Sequence, residues 1–252
     1  MHRRIGAYDV AMEYAKEMEL KVEKNAKRLE ALEKANSNKV FPWMRTIHKD
    51  GDHEGDVELS HFEVSAQDSG MTKVRALLNP GVRWFSYVPP GKYVRLIERD
   101  GDGTLWMTDT AHERLSSLPL VENAHGHVLI SGLGLGMVLP PVLQKKSVTQ
   151  VTVLEKSCDI IKLVGKRFTH PKLTILEEDV FFYKPPADSP RYDVVFHDIW
   201  PHVCDGNLPQ MTVLKRRFVH WMNKKNPRRW QGCWAEGTCR DLRKERCEWQ
   251  GD

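Results

Sequence analysis

Hydrophobic and polar residues recur with a helical period near the start of the chain, over residues 8–35. Two series of mostly apolar residues, separated by Glu and Lys, repeat every seven positions: Tyr8, Ala15, Val22 and Leu29 in one, and Ala11, Met18, Asn25 and Leu32 in the other. The pattern predicts a long amphipathic helix in a segment of residues 1–40. Two interpretations stay open: a coiled coil that makes a homodimer, with Asn25 fixing its register, or a helix that packs on its own domain.

The pattern changes to short β-type runs over residues 41–110. Aromatic and β-branched segments are cut by Gly, Pro and Asp turns, which predicts strands at residues 57–64, 73–78, 82–88, 93–98 and 105–108. We expect these strands to form a small antiparallel β domain. Ahead of them, residues 49–56 form an acidic loop that lacks the twelve-residue calcium-binding pattern, so a turn without metal is predicted there.

Strand and helix patterns alternate in the rest of the chain. Apolar β-type runs at residues 128–130, 151–154, 173–176 and 194–196 are separated by helical segments, of which residues 158–168 are the clearest. This alternation predicts an α/β fold for residues 111–252, a Rossmann-like parallel sheet with helices on both faces. After a predicted helix at residues 209–222, only residues 231–235 form a further strand candidate. We therefore expect a sheet truncated at about five strands.

Glycine occupies every second position of the turn after the first of these strands, at Gly132, Gly134 and Gly136. Such a turn lets a ligand approach the backbone and leads into the free N–H groups at the start of a helix. Met137 stands where the dinucleotide-binding pattern needs glycine, and no Gly-Lys-Ser/Thr follows for a phosphate loop. A turn without Lys or Arg suits a ligand that has no phosphate group.

A carboxylate follows each of the next three strands. Glu155 ends the second strand, where an acid can accept hydrogen bonds from ribose hydroxyls. Asp179 lies just past the third strand, where it can accept from an adenine amine. Asp198 follows the fourth strand and should face the crevice, with Trp200 stacking on a ring and His197 packing on the opposite side. Phosphate-free adenosine bound by carboxylates indicates a cationic ligand, which S-adenosylmethionine is.

These features resemble the class I S-adenosylmethionine-dependent methyltransferases, and within them the spermidine synthase-like branch. The resemblance rests on the glycine turn, the three acids, and the segment His112-Glu-Arg-Leu-Ser-Ser-Leu-Pro-Leu120, which looks like that branch's helix before the first strand. It implies that the turn holds the amino-acid end of the donor, Glu155 its ribose and Asp179 its adenine. Asp198 would orient or deprotonate the acceptor. The match implies further donor contacts from neighbouring residues: Leu133, Lys156, Val180, Ile199 and Trp200.

Two departures separate the chain from the aminopropyltransferases of that branch. Leu135 stands where they carry Asp in the glycine turn, and Asp198-Ile-Trp-Pro-His202 stands where they carry Asp-Ser-Ser-Asp-Pro. A full methyltransferase sheet also has three more strands after Asp198, so we expect an acceptor side that is open or built by a partner. The sequence predicts an S-adenosylmethionine-dependent methyltransferase of unknown acceptor, with Asp198 as the catalytic residue. The alternatives are aminopropyl transfer and a non-catalytic donor-binding scaffold.

Charge and composition bear on partners and location. The 252 residues carry a net charge of +4, but eleven Lys/Arg against five Asp/Glu from Asn207 onward give that stretch +6 and leave −2 for the rest. This basic tail admits nucleic acid, although a solvated basic face is favoured. We see no apolar run that predicts a membrane span or a secretion signal, and the five cysteines lack any C-x-x-C pair. A cytoplasmic protein with free thiols and no metal is therefore expected.

Overall fold

The structure is a computed structural model, and it describes residues 7–37, 39–79, 83–99 and 103–250. The helices are α1 (Ala7–Ser37), α2 (Ala66–Leu78), α3 (Ala111–Asn123), α4 (Leu139–Leu143), α5 (Cys158–Leu163), α6 (Leu208–Phe218) and α7 (Glu236–Gln250). The strands are β1 (His53–Glu54), β2 (Val57–Val64), β3 (Gly91–Glu98), β4 (Leu105–Thr108), β5 (Gly126–Ser131), β6 (Val148–Glu155), β7 (Leu173–Glu177), β8 (Val194–His197) and β9 (Trp230–Cys233). None of the helices in these ranges combines the length and apolar character that a membrane span requires.

The chain divides into two compact units, each assembled from separate stretches of sequence. Unit 1 comprises Met1–Asn38, Glu63–Lys92 and Thr110–Leu115, and unit 2 comprises Lys39–Phe62, Tyr93–Asp109 and Ser116–Asp252. The division into contiguous domains at residues 1–40, 41–110 and 111–252 stays a prediction.

Unit 1 is built around the packing of α1 against α2. Leu29 and Leu32 of α1 are buried together with Ala76 of α2 and with Tyr87. The side-chain amide of Asn25 donates a hydrogen bond of 3.0 Å to the carbonyl oxygen of Ala76. The C-terminal half of the heptad pattern is therefore satisfied within the chain, and the only polar residue of that pattern has a partner there.

The N-terminal half of α1 has no such cover from the described residues. Met12, Tyr14 and Leu20 are exposed, at 44%, 63% and 66%. The side chains of Tyr8 and Ala11, the first positions of the two heptad series, lie outside the described part of the chain. The homodimer through this helix stays a prediction.

Residues 73–78 belong to α2, and the strand predicted there is wrong. Ser65 caps this helix, because its Oγ accepts a hydrogen bond of 3.1 Å from the backbone N–H of Asp68. The Asp68 carboxylate accepts in turn from the Ser65 hydroxyl at 2.8 Å. Capping starts a helix ahead of the apolar run, and Ser69 and Ala76 lie on its buried face at helical spacing.

The strand predicted at residues 82–88 is also wrong. Trp84–Ser86 forms a single 3-10 turn, and residue 82 lies outside the described residues. The backbone N–H of Ser86 bonds to the carbonyl of Arg83 at 2.9 Å, and that of Tyr87 bonds to the carbonyl of Trp84 at 3.2 Å. These local bonds use the backbone groups that a sheet would need.

Strands β1 to β4 form a four-stranded sheet in that order, with β1 antiparallel to β2 and β3 antiparallel to β4. The strands predicted at residues 57–64, 93–98 and 105–108 are confirmed in it. Asp109 follows β4 and accepts hydrogen bonds from the backbone N–H groups of Val94 at 2.7 Å and Met44 at 3.2 Å. This buried carboxylate therefore ties the end of β4 to β3.

Unit 2 centres on a five-stranded parallel sheet in the order β7-β6-β5-β8-β9. The predicted α/β, Rossmann-like fold and the stop at five strands are confirmed for the described residues. Val128 of β5 lies opposite Val151 of β6 on one side and Val194 of β8 on the other. The strand order therefore reverses at β5, and parallel sheets bind ligands at the carboxyl ends of the strands at such a point.

Helices flank this sheet because the chain crosses it in two directions. The connections through α4 and α5 run from β5 towards β7, and the connection through α6 runs from β8 to β9. Right-handed crossovers in opposite directions place these helices on opposite faces. Residues 158–168, predicted as one helix, are α5 followed by a 3-10 turn at Gly165–Arg167. Helix α7, which covers much of the basic tail, was not predicted.

Candidate functional site

The turn after β5 begins with a glycine, Gly132, because another stretch of backbone lies against that position. Gly132 has a φ of +93°, and a Cβ placed on it would lie 1.9 Å from the carbonyl oxygen of Asp198. Gly134 and Gly136 also have left-handed backbones, with φ of +49° and +68°. Both the conformation and the close approach exclude a side chain at position 132. The turn is thereby held against the end of β8.

Glu155 links the end of β6 to the same turn. One oxygen of its carboxylate accepts a hydrogen bond of 2.8 Å from the backbone N–H of Leu133, and the other accepts one of 2.9 Å from Ser157. The residue is buried, with 7% of its surface exposed. Two backbone donors hold this carboxylate in place. Each oxygen keeps acceptor capacity for a ligand hydroxyl.

Asp179 stands beyond the end of β7, next to Glu178. Its Oδ1 accepts a hydrogen bond of 2.8 Å from the backbone N–H of Phe181, so that a local turn orients the carboxylate. Glu177, by contrast, ends β7 opposite Glu155 and is exposed. After the third strand of the parallel sheet, Asp179 lines the cleft as predicted, and Glu178 lines it as well.

Asp198 follows β8 and is half-buried. Burial, together with the nearby Glu155 carboxylate, raises the pKa of Asp198 to about 7. Both causes disfavour its negative charge. A nearby positive charge would stabilise the carboxylate, so the site suits a cation.

These residues line one cleft at the carboxyl ends of the parallel strands. Nine of the predicted site residues line it: Gly132, Gly134, Glu155, Lys156, Asp179, Val180, Asp198, Ile199 and Trp200. Leu133 and Gly136 do not line it. They shape the turn instead, since Leu133 binds Glu155 through its backbone and Gly136 bonds back to the Leu133 carbonyl at 2.8 Å.

The lining also includes residues that sequence reasoning missed: Leu96, Trp106, Leu154, Ile160, Glu178, Phe181 and Pro201. Leu96 and Trp106 come from β3 and β4, far from the glycine turn in sequence, and no motif marks them. The cleft has four carboxylates in its lining and, among the described lining residues, one cation, Lys156. Carboxylates therefore outnumber cations among the described residues of its lining, and the rest of that lining is mainly apolar.

Trp200 and His197 occupy the positions that their strand alternation predicts. Trp200 is 7% exposed, and its indole N–H donates a 2.8 Å hydrogen bond to the side-chain oxygen of Gln210 in α6. It is a fixed wall of the cleft. His197 is fully buried and lies 3.0 Å from the Ser131 hydroxyl through its Nδ1. Burial lowers the pKa of His197 to about 3, so it is a neutral packing residue.

The remaining chemical candidates are structural. Asp52 of the acidic loop forms an ion pair with Arg167. The five cysteines are free, and Cys233 and Cys239 are buried. Among the described residues, no group of three or more His, Cys, Asp or Glu side chains is placed to hold a metal ion.

No family model and no curated protein matches the sequence. Several solved structures are similar to parts of it. They include the 23S rRNA methyltransferase ErmE (18% identity, 40% of this chain and 38% of that one, TM-score 0.31). A second is the plantazolicin methyltransferase BpumL in complex with SAH (15% identity, 43% of this chain and 41% of that one, TM-score 0.33). A third is the N-methyltransferase NodS from Bradyrhizobium japonicum (16% identity, 44% of this chain and 60% of that one, TM-score 0.32). The chain spans about 40% of the length of the first two and 60% of the third, and the similarity is one of fold.

Proposed function

We propose that the cleft binds S-adenosylmethionine and that the protein transfers the donor's methyl group to an acceptor. The observation that carries the proposal is the convergence of Glu155, Asp179 and Asp198 on one cleft floored by bare glycine backbone. The glycine turn and the carboxylates suit a nucleoside, and Lys156 is the single cation among the described lining residues, which is few for a phosphate site. Its excess of carboxylates fits a ligand that carries a sulfonium and an ammonium group.

The carboxylates fit the parts of this donor in order along the sheet edge. Glu155 sits next to the strand-order reversal with acceptor capacity on both oxygens, which suits the two ribose hydroxyls. One oxygen of Asp179 is occupied by the Phe181 N–H, which leaves the other for the adenine amine. Ile160, Val180 and Phe181 supply apolar surface for the ring. Gly132 and Gly134 leave room for the amino-acid end.

In methyl transfer the protein mainly has to align the acceptor with the donor, and it forms no covalent bond to either. A lone pair of the acceptor attacks the methyl carbon, the carbon–sulfur bond breaks, and its electron pair stays on sulfur as a neutral thioether. Asp198 accepts the proton that the acceptor loses. A carboxylate whose pKa is about 7 is a suitable general base near neutral pH. Trp106 and Trp200 form walls against which a planar acceptor can lie.

Aminopropyl transfer, the reaction of the spermidine synthase-like branch, has less support in this cleft. Leu135 stands at the position of that branch's turn acid and is fully buried. Pro201 stands where the second acid of its acceptor motif would be, and it carries no charge. A cationic polyamine would meet Asp198 without that second carboxylate. Turnover assays separate the candidates, because only aminopropyl transfer makes spermidine from putrescine and decarboxylated donor, and a scaffold makes no product.

The decisive experiment is calorimetry of S-adenosylmethionine, its demethylated product and NAD on the wild type and on Glu155→Gln. We expect micromolar binding of the first two and no measurable heat with NAD. The Gln variant should lose about tenfold or more in affinity. Its side-chain NH2 replaces one acceptor oxygen, so it cannot accept from both the backbone N–H groups of the turn and the ribose hydroxyls. Glu177→Gln is the matched control, because this acid ends the adjacent strand without lining the cleft.

The variant must keep its fold for the result to count, so thermal unfolding accompanies each titration. Asp179→Asn provides a second probe, because its carboxylate makes no hydrogen bond to the glycine turn after β5. Tight NAD binding would overturn the assignment of the donor. Equal affinity in wild type and in both cleft variants would remove these carboxylates from the site.

A further inference from the structure

A second concave site lies between α6 and α7 in unit 2. We call it the α6–α7 groove. Its lining has four cations (Lys215, Arg216, Arg240 and Arg243), one carboxylate (Glu236), and the apolar or neutral residues Leu208, Pro209, Met211 and Thr212. The side chains of the lining therefore carry a net charge of +3. Cations concentrated in a concave site raise the local concentration of anions.

Glu236 organises two of these cations without neutralising all four. Its carboxylate accepts hydrogen bonds from Lys215 Nζ at 3.0 Å and from Arg240 Nη2 at 2.7 Å. Burial opposes its charge, but the bonds from Arg240 and Lys215 outweigh this and lower the pKa of Glu236. It therefore stays ionised and fixes both partners at the groove wall.

Arg216 and Arg243 are the cations left available for a ligand. Both are exposed, and neither has an ion-pair or hydrogen-bond partner in the described part of the chain. Their planar guanidinium groups can bind two oxygens of one phosphate side by side. Two such groups, backed by a fixed Lys–Glu–Arg cluster, form a site for more than one anionic group.

The groove and the cleft wall both involve the first turn of α6. Pro209 and Met211 line the groove, and Gln210 between them holds Trp200 in the cleft wall by the 2.8 Å hydrogen bond. Helix α7 begins directly after β9, at the same carboxyl edge of the sheet. A polymer that follows α6 from the groove towards the start of the helix therefore extends towards the cleft.

We propose that the α6–α7 groove binds the phosphodiester backbone of a single-stranded nucleic acid, which presents the acceptor to the cleft. Successive phosphates along a strand supply several negative charges, which match the net charge of +3 in the groove better than a ligand with a single carboxylate does. Leu208 and Met211 offer apolar surface to the ribose or base. The assignment of the strand as methyl acceptor rests on the proposed function. Binding of the strand in the groove does not.

The test is fluorescence anisotropy of a labelled twelve-nucleotide single strand, as RNA and as DNA, over a range of KCl concentrations without donor. The double variant Arg216→Gln/Arg243→Gln should bind about tenfold more weakly near 100 mM salt, and its salt slope should fall by about 1.4, since each lost phosphate contact removes about 0.7. The matched control is Arg228→Gln/Arg229→Gln. It removes the same charge from exposed residues just before β9, at the opposite edge of the sheet.

Loss in the groove variant with retention in the control supports the site. Equal loss in both would show a diffuse charge effect and overturn it, as would salt-independent binding or none. Full competition by pyrophosphate at equal phosphate concentration would replace the strand with a small phosphate compound. Equal competition by polyglutamate would overturn the phosphate assignment. Donor calorimetry on the same variants should be unchanged, so a failure of the groove and a failure of the donor site remain distinguishable.

Discussion

The cleft beside the glycine turn and the α6–α7 groove both belong to unit 2 and carry opposite charges. Among the residues that the structure describes, four carboxylates and one lysine line the cleft, whereas four cations and one carboxylate line the groove. In the cleft the charges are preorganised by backbone donors, as Glu155 is by Leu133 and Ser157. In the groove they are preorganised by a side chain, Glu236.

Under the two proposals, the difference in charge lets one unit hold two unlike ligands. A cation placed in the cleft relieves the repulsion among its carboxylates, and an anion placed in the groove relieves the repulsion among its cations. Each site therefore selects against the other's ligand. The net charge of +4 for the whole chain conceals this separation.

The largest expected effect is that of Gly132→Ala, which breaks the cleft and leaves the groove. The new Cβ would lie 1.9 Å from the Asp198 carbonyl on a residue with φ of +93°. We expect a loss of about 3 kcal/mol or more in the free energy of unfolding, from strain and displaced backbone, together with loss of donor binding. Urea unfolding measures the first and calorimetry the second. Gly237→Ala in α7, which meets no atom within 4 Å, should be neutral or slightly stabilising. Similar behaviour of the two variants would contradict the close approach.

The second prediction concerns the pH dependence of donor affinity. The pKa of Asp198 is about 7 without ligand, and a cationic donor favours its carboxylate form. Affinity should therefore rise with pH between 6 and 8, by about tenfold overall, and binding below pH 7 should release a proton. Calorimetry in two buffers of different ionisation enthalpy detects that proton. Asp198→Asn should remove both the release and the pH dependence, and oligonucleotide binding in the groove should not follow this profile. A pH-independent wild type would refute the charge coupling.

A smaller effect is expected on stability from the same carboxyl group. Because the folded-state pKa of Asp198 is raised to about 7, its contribution to stability is fully present below its unfolded value and is lost as pH rises through 7. Asp198→Asn should therefore be more stable than the wild type by about 1–2 kcal/mol at pH 8, and the gap should narrow as the pH falls from 7 towards the unfolded-state value of about 4. Thermal unfolding across this range provides the measurement. A variant less stable than the wild type at pH 8 would contradict the burial of this charge.

The smallest effect sharpens the contrast between the two carboxylates. Glu236→Gln removes the single acid of the groove, so single-stranded oligonucleotide should bind about two- to threefold more tightly at low salt, despite looser placement of Lys215 and Arg240. The same chemical change in the cleft, Glu155→Gln, should weaken donor binding. Anisotropy and calorimetry on the two variants give effects of opposite sign if the comparison holds. Weaker binding in both would indicate that Glu236 matters more for position than for charge.

The sequence predicts the part of the cleft that is built from the glycine turn and from the acids at the strand ends. A glycine turn and acids at strand ends identify Gly132, Glu155 and Asp198, because the carboxyl ends of parallel strands must meet at one edge. Leu96 and Trp106 complete the lining from β3 and β4. Their place depends on how the small sheet packs within unit 2, which no local pattern encodes.

The two wrong strands and the missed helix have local physical causes. Residues 73–78 contain Val74 and Leu78, which suggested a strand, but both are exposed and the Ser65 cap commits the segment to a helix. Helix α7 is rich in charge and lacks an apolar run. It is stabilised instead by the Glu236–Arg240 pair one turn apart and by burial of Cys239.

The most direct test of the account is a crystal structure of the protein with the demethylated product of the donor. We predict electron density in the cleft beside the β5 turn, with ribose hydroxyls within hydrogen-bonding distance of Glu155 and the adenine amine near Asp179. Density for the nucleoside elsewhere, or an empty cleft at saturating ligand, would contradict it.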